Sequence, residues 1–428
     1  MNHKVTAIIA ITLCVLFSLS PALFANVAAL GVSSTINISN DSNIASYPNV
    51  QSVGNNVYVV WSESSHGILF RSSTNGGLTF STAVRISPSG GVAQFPLMTA
   101  NGSNVYVVWA QSLHNILQIY FAASTNNGTT FSPAKIVDNL PNATCITPVL
   151  SSYGNDVYVA YDGNGSSYVT SSTNAGSTFT TPFLYGSGPE PQLASWGNSA
   201  YAIADSFSRT TTPIWYSNNA GSTWHKASTN GGASAEPWIM ASGTNVIAAW
   251  ETKNTDSDVY VTTSINSGKT WTPKFLLSST VPDSWAPMLG ILGNTEYVAW
   301  RSNPGSDNSQ EYVSVSINAG SSWSSPTAIG FSGHDNSWPT QVAVSGSSAF
   351  IMWYERTGTT SSSPWNAVVQ ESTNNGTSWL TSPLVLGGSL AESDVATAAV
   401  SNNAATMFAV WTNTTSSGNA QVYFATGS

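Results

Sequence analysis

A chain of 428 residues with only 7% charged and 11% aromatic side chains is not built from long exposed helices, whose surfaces need Glu, Lys and Arg. A formal net charge of −9, from 11 basic against 20 acidic residues and without any basic run, excludes a nucleic-acid partner, because nothing neutralises phosphates. Two cysteines exclude a disulfide framework, so size must supply the stability.

The first predicted element is a leader over residues 1–29. Lys4 precedes the apolar run AIIAITLCVLFSL (Ala7 to Leu19), then Ser20-Pro21 and small residues around Ala25 and Ala29. This is the three-part layout of a secretory signal peptide, and the run is short for a membrane span. An uncleaved anchor is the alternative, and the only route to a membrane. Either way the chain is expected to be secreted or held at the cell surface. Cys14 falls in the leader, which leaves Cys145 as a lone thiol, read as a half-buried small residue. Eight Asn-x-Ser/Thr sequons, at Asn37, Asn40, Asn101, Asn127, Asn142, Asn164, Asn375 and Asn413, fit surface glycosylation.

Residues 33–428 read as one all-β domain with a repeat of roughly 45 to 56 residues, the spacing of propeller blades. Each unit opens on a short apolar strand, often after a proline (Pro96, Pro148, Pro191, Pro287). A Gly/Asn turn leads to a second strand, NVYVVW ending at Trp61 and again at Trp109, NVIAAW at Trp250, EYVAW at Trp300. A third strand, such as QIYFAAS, runs into a turn that recurs seven times, and a fourth short strand leaves it. Val, Ile, Tyr and Trp between Gly, Asn and Ser punctuation predict strands. Four antiparallel strands per unit predict a β-propeller of about eight blades. The eighth unit begins near Val395 and stops at Ser428 without its fourth strand. SSTINIS (Ser33 to Ser39) is predicted to supply that strand and close the ring, which removes an exposed sheet edge.

The repeated turn is Ser-x-Asn-x-Gly-x-Thr/Ser-Phe/Trp, with Asn75, Asn126, Asn174, Asn219, Asn266, Asn318 and Asn374 at its centre. Asn can bond backbone groups inside a tight turn, and Gly permits φ above zero. The closing aromatic (Phe80, Phe131, Phe179, Trp224, Trp271, Trp323, Trp379) is expected to pack between blades. The turn resembles the Asp-box, or BNR repeat, of sialidases and related propellers, Ser-x-Asp-x-Gly-x-x-Trp, with Asn in place of Asp at all seven positions. The resemblance covers nearly the whole domain. It implies that the turns lie opposite the active-site face, and so concern architecture and not catalysis.

The other face should then carry any site. Loops after the second strand hold Glu63 and His66, Gln111 and His114, Asp162, Asp205 and Arg209, Glu251, Arg301, and Tyr354-Glu355-Arg356. Connections between blades add Glu190, Glu236 and Trp238, Asp283 and Trp285, His334, Asp335 and Trp338, and Glu392 with Asp394. Trp238, Trp285 and Trp338 beside Glu236, Asp283 and Asp335 suit sugar rings, which have apolar C–H faces and hydroxyl donors. The bland reading is that loops carry charge because strands cannot. A sialidase-like hydrolase would use three arginines around a carboxylate and a Tyr nucleophile with an assisting Glu. The resemblance assigns those roles to Arg209, Arg301 and Arg356, with Tyr354 and Glu355. Against it, the Phe/Tyr-Arg-Ile-Pro motif is absent, the nearest string being VRIS at Arg85. No cofactor is expected: His66 and His114 lack paired-ligand spacing, and Ca²⁺ on the acidic rim is an alternative that no loop supports with regular ligand spacing. The leading expectation is glycan or cell-surface protein binding on the loop face, without catalysis. A sialidase-like hydrolase and a structural surface-coat component are the alternatives.

Overall fold

Second strands such as Asn56–Glu63 (NVYVVWSE) bury every residue after the first. Each is covered on both faces by neighbouring sheets, which is why it reads as a continuous apolar run and not an alternation. The computed structural model describes residues 31–113, 116–140, 143–205, 213–227, 235–252, 257–303, 309–331, 336–356, 365–390, 397–400, 406–414 and 419–427. They form eight four-stranded antiparallel sheets arranged as a β-propeller. Blade 1 is Ala45–Val53, Asn56–Glu63, Gly67–Ser73 and Val84–Arg85, paired in that order from the channel outward. Blades 2 to 7 follow over residues 93–136, 145–186, 192–226, 235–276, 284–328 and 336–390.

The eighth sheet takes Thr397–Val400, Met407–Thr414 and Ala420–Gly427 from the end of the chain and Ile36–Asn37 from its start. Ile36 lies opposite Phe424 and Asn37 opposite Tyr423. Beyond the pairing, Ser39 Oγ donates to Gln421 Oε1 at 2.9 Å, and the Ser33 and Ile38 N–H groups donate to the Thr426 and Val422 carbonyls. The N-terminal strand thus closes the last blade, as the missing fourth strand predicts.

All seven repeated turns are built alike. In blade 3, Ser172 Oγ donates to Asn174 Oδ1 at 2.8 Å and accepts the Gly176 N–H at 3.0 Å. Asn174 Oδ1 also accepts the Thr178 N–H, and its Nδ2 donates to Thr178 Oγ1, both at 2.9 Å. The same four bonds recur around Asn75, Asn126, Asn219, Asn266, Asn318 and Asn374. An amide satisfies the turn without charge, because its nitrogen donates where a carboxylate would have to accept. Each turn also abuts the first turn of its own blade, for example through the Ala175 N–H to the Asn155 carbonyl at 2.9 Å.

The turn glycine has two reasons to be glycine. Gly176 sits at φ 76°, and a Cβ there would lie 2.1 Å from a ring carbon of Phe121 in blade 2. The closing aromatic follows it into the preceding blade: Phe80 packs edge-on to Phe424, Phe131 to Phe70 and Phe179 to Phe121, at 4.8 to 5.1 Å. Eight buried clusters result, one at each seam between blades.

One seam contains an acid. Glu296 occupies the place held by Val57, Val105, Val157 and Val246 in other blades and is fully buried against blade 5. Among the described residues neither carboxyl oxygen has a hydrogen-bond partner, and burial pushes its pKa up to about 8.

Replacing Gly176 with Ala is expected to cost roughly 1–3 kcal/mol of stability, through overpacking and the left-handed backbone, read as a lower denaturant midpoint. For Glu296 the sign follows from its raised pKa. The folded chain holds a proton that the unfolded chain releases, so stability falls as pH rises from the ordinary carboxylate range to about 8. Glu296→Val should therefore raise the thermal midpoint at about pH 9, by roughly 1–3 kcal/mol of stability, and much less at about pH 4.

Candidate functional site

Inner strands enter the ring on the face away from the repeated turns, at an X-Pro step. The residue before the proline has left-handed backbone in six blades: Tyr47 (φ 52°), Phe95 (56°), Thr147 (48°), Glu190 (59°), Glu236 (48°) and Ala286 (54°). Sterics favour extended backbone before proline, so this is strain held in place by the surrounding sheet. In blades 1, 2, 3, 5 and 6 the cross-strand register slips at the same step, a β-bulge, and bulges re-aim side chains.

Here the bulges gather equivalent residues of successive blades at the channel mouth. Tyr47 and Phe95 meet with ring centroids 4.6 Å apart. Across blades 4 to 6, Glu190, Glu236 and Ala286 line one cavity of about 300 Å³ together with Gln192, Trp238 and Met288. Trp238 is half-buried, one side against the core between blades 5 and 6. The mouth is thus aromatic on one side and carboxylate-bearing on the other.

Several other loop-face acids point inward. Glu63 Oε2 accepts the buried Trp61 indole N–H at 3.0 Å, and its other oxygen lies 2.9 Å from His66 Nδ1. Glu355 Oε2 accepts the Trp353 indole at 2.8 Å, Gln111 does the same for Trp109, and Glu251 accepts the Ala286 N–H across the seam at 2.9 Å. Asp162 Oδ1 caps a turn through the Gly165 N–H. Residues i and i+2 share a strand face, so Trp-x-Glu/Gln places the acceptor beside its indole.

Four of the five residues assigned by the sialidase resemblance lie among the described residues. Tyr354 and Glu355 are consecutive in one strand and face opposite ways: Tyr354 packs into the core between blades 7 and 8, while Glu355 turns to blade 6. Arg301 lies 5.5 Å over the Trp285 ring, and Arg356 lies 4.5 Å over Trp365. Arg209, His114, His334, Asp335, Glu392, Asp394 and the Trp338 side chain lie outside the described residues. Asp283 is half-buried at the start of blade 6, with φ 53°. Arg301 and Glu355 do come near one another, around Glu311, which the residue pattern did not single out. Glu311 is fully buried opposite Arg301 on the neighbouring strand, where other blades carry Ile68, Ile119 or Val259. Burial drives its pKa well above the ordinary value, with Arg301 opposing and Glu355 reinforcing the shift. Burial likewise pushes Glu355 up to about 7, with the Trp353 and Phe331 N–H groups opposing. No group of three or more His, Cys, Asp and Glu that could hold a metal ion occurs among the described residues.

No protein family matches the sequence, and no curated protein sequence does. Among solved structures, a polysaccharide lyase of family PL25, an ulvan lyase, superimposes with a TM-score of 0.53 at 10% identity, over 91% of this chain and 95% of that one. The same lyase bound to -[GlcA(1-4)Rha3S]- gives 0.52. A Hadza microbial sialidase, with 12% identity over 69% of this chain and 70% of that one, gives 0.40, too low to carry an argument. The likeness to the lyase is one of fold.

Cys145 is fully buried beside the Asp138 carboxylate, and burial, followed by that charge, drives its thiol pKa far above the ordinary value. Cys145 in the native protein is expected to resist a thiol-reactive dye at about pH 8, with its labelling complete only after unfolding.

Proposed function

We propose that this propeller is an exported or cell-surface protein that binds a carbohydrate at the channel mouth on its loop face. The observation that carries this reading is the cavity of about 300 Å³ with Trp238 and Met288 beside Glu190, Gln192 and Glu236. An apolar wall with a few convergent polar groups is what small-ligand sites require. The indole face suits sugar C–H groups, and the carboxylates and amide accept hydroxyl protons. Tyr47 and Phe95 extend the aromatic surface across the mouth.

Charge narrows the saccharide class. Two carboxylates at the mouth of a chain with net charge −9 repel uronates and sulfates, so neutral or amino sugars fit best. The ulvan lyase with a related fold holds a saccharide too, one of glucuronate and sulfated rhamnose, and the acidic mouth argues for the opposite choice here. The seven turns support grouping the chain with the Asp-box propellers, with Asn standing for Asp.

Hydrolysis is the second reading, because the cavity holds two carboxyls, the number that glycoside hydrolysis uses. In its sialidase-like form it would draw on Arg301, Arg356, Tyr354 and Glu355.

Titration with neutral, amino-sugar and uronate oligosaccharides tests the proposal. Trp238→Ala should weaken binding at least about tenfold, and Glu236→Gln should weaken amino-sugar binding most. Uronate preference, or binding indifferent to both changes, would overturn it. Turnover lost in Glu190→Gln and Glu236→Gln would establish the hydrolase; sialoside turnover lost in Arg356→Ala would establish its sialidase form.

A further inference from the structure

The two faces of the ring differ in charge, and the described N-terminal strand begins at one of them. Of the four described lysines, Lys269 lies within a repeated turn and Lys135, Lys226 and Lys274 on the outer segments that follow, with Lys274 Nζ 4.5 Å over the Tyr260 ring. Lys135 Nζ donates to the Gly176 and Ser177 carbonyls of the next blade's turn. Of the described acids at this end, Glu296 and Glu371 are buried, and only Asp156 is partly exposed. With Asn at the seven positions where the Asp-box has Asp, the turn face lacks seven further negative charges.

This face also exposes apolar side chains among its polar turns. Ile265 and Ile317 stand 65% and 67% exposed in the turns of adjacent blades 5 and 6, where Thr74, Thr125, Thr173 and Thr373 occur in four of the others. Leu292 lies at the same end of blade 6. Tyr153 and Trp196, both exposed, pair at 5.4 Å at the corresponding ends of blades 3 and 4. Lysine, isoleucine and amphipathic aromatics on one surface are the composition of a membrane interface.

Where the chain emerges gives this surface its occupant. Val32 bridges Gly427 at the turn end of the last blade, and the Ser33 N–H donates to the Thr426 carbonyl. The first described residues therefore lie at the turn face, and residues 1–30, with Lys4 and the apolar Ala7 to Leu19 run, lie outside the described residues. We infer that the turn face docks on an anionic phospholipid bilayer, with blades 5 and 6 seated in the headgroup region and the loop face turned away. No helix among the described residues is long and apolar enough to cross a membrane. Contact is made by surface side chains, and it does not depend on what the loop face binds.

Hydrogen exchange of the full chain on phosphatidylcholine vesicles, with and without phosphatidylglycerol, tests this docking. On anionic vesicles residues 265–271 and 317–323 should slow at least about tenfold relative to detergent, while 44–47 and 92–95 on the loop face stay unchanged. Ile265→Thr with Ile317→Thr installs residues that other turns already carry, and should remove the protection while exchange in the remaining turns is kept. Lys269→Glu with Lys274→Glu should remove the dependence on phosphatidylglycerol. Equal exchange in vesicles and detergent, protection of the loop face instead, or protection untouched by both double variants would overturn the inference. Trp238→Ala on the loop face should leave the protection intact, which separates this result from the carbohydrate site.

Discussion

The structure depends on one serine hydroxyl used seven times. Ser172 Oγ and its counterparts accept a glycine N–H and donate to an asparagine carbonyl, which locks the corner between the third and outer strands. That corner sets the glycine against the preceding blade and the closing aromatic in its core. A local turn thereby becomes the inter-blade contact, and seams instead of single sheets hold the apolar clusters. With one face given to these corners, the opposite face is free to vary. Its bulged X-Pro steps use that freedom to set different side chains around the channel mouth.

Blade 6 departs from the repeat in its seams. It buries Glu296 toward blade 5 at the turn end and Glu311 toward blade 7 at the loop end, each where other blades place an aliphatic residue. Burying a carboxyl without hydrogen bonds opposes folding, so both of these seams carry a local cost. Glu311 is compensated in part by Arg301, itself stacked on Trp285. Glu296 has no such neighbour among the causes of its shift. The Glu190–Glu236 cavity reaches this blade through Ala286 and Met288.

The ring was legible because its signals repeat. Seven turns, prolines at strand starts and a final unit short of one strand give blade number and closure without any knowledge of packing. The mouth was only half legible. Glu236 and Trp238 stood out as loop residues, but so did Glu63 and Glu355, and loop position does not tell a rim acid from one that holds a buried indole. The spacing does: the Trp-x-Glu strings at Trp61 and Trp353 mark the inward acids, and the residue before proline marks those at the mouth. Tyr47, Phe95 and Glu190 share that position, and its meaning came from a left-handed backbone that pattern alone does not suggest. Glu311 escaped notice because an acid inside a strand breaks no turn and belongs to no motif.

The closing strand carries a consequence for how the molecule comes into being. Ser39 and Gln421 are 382 residues apart in sequence, so the contact that seals the ring forms between the first and last parts of the domain to be made. Loop closure over that distance adds little to its free-energy cost, but folding slows as contacts become less local. Until the last strand arrives, blade 1 presents a bare apolar flank, including Val57 and Trp61, and the N-terminal strand has no partner. Seven blades must wait for the eighth. Before that closure the ring is an open arc with an unpaired apolar flank.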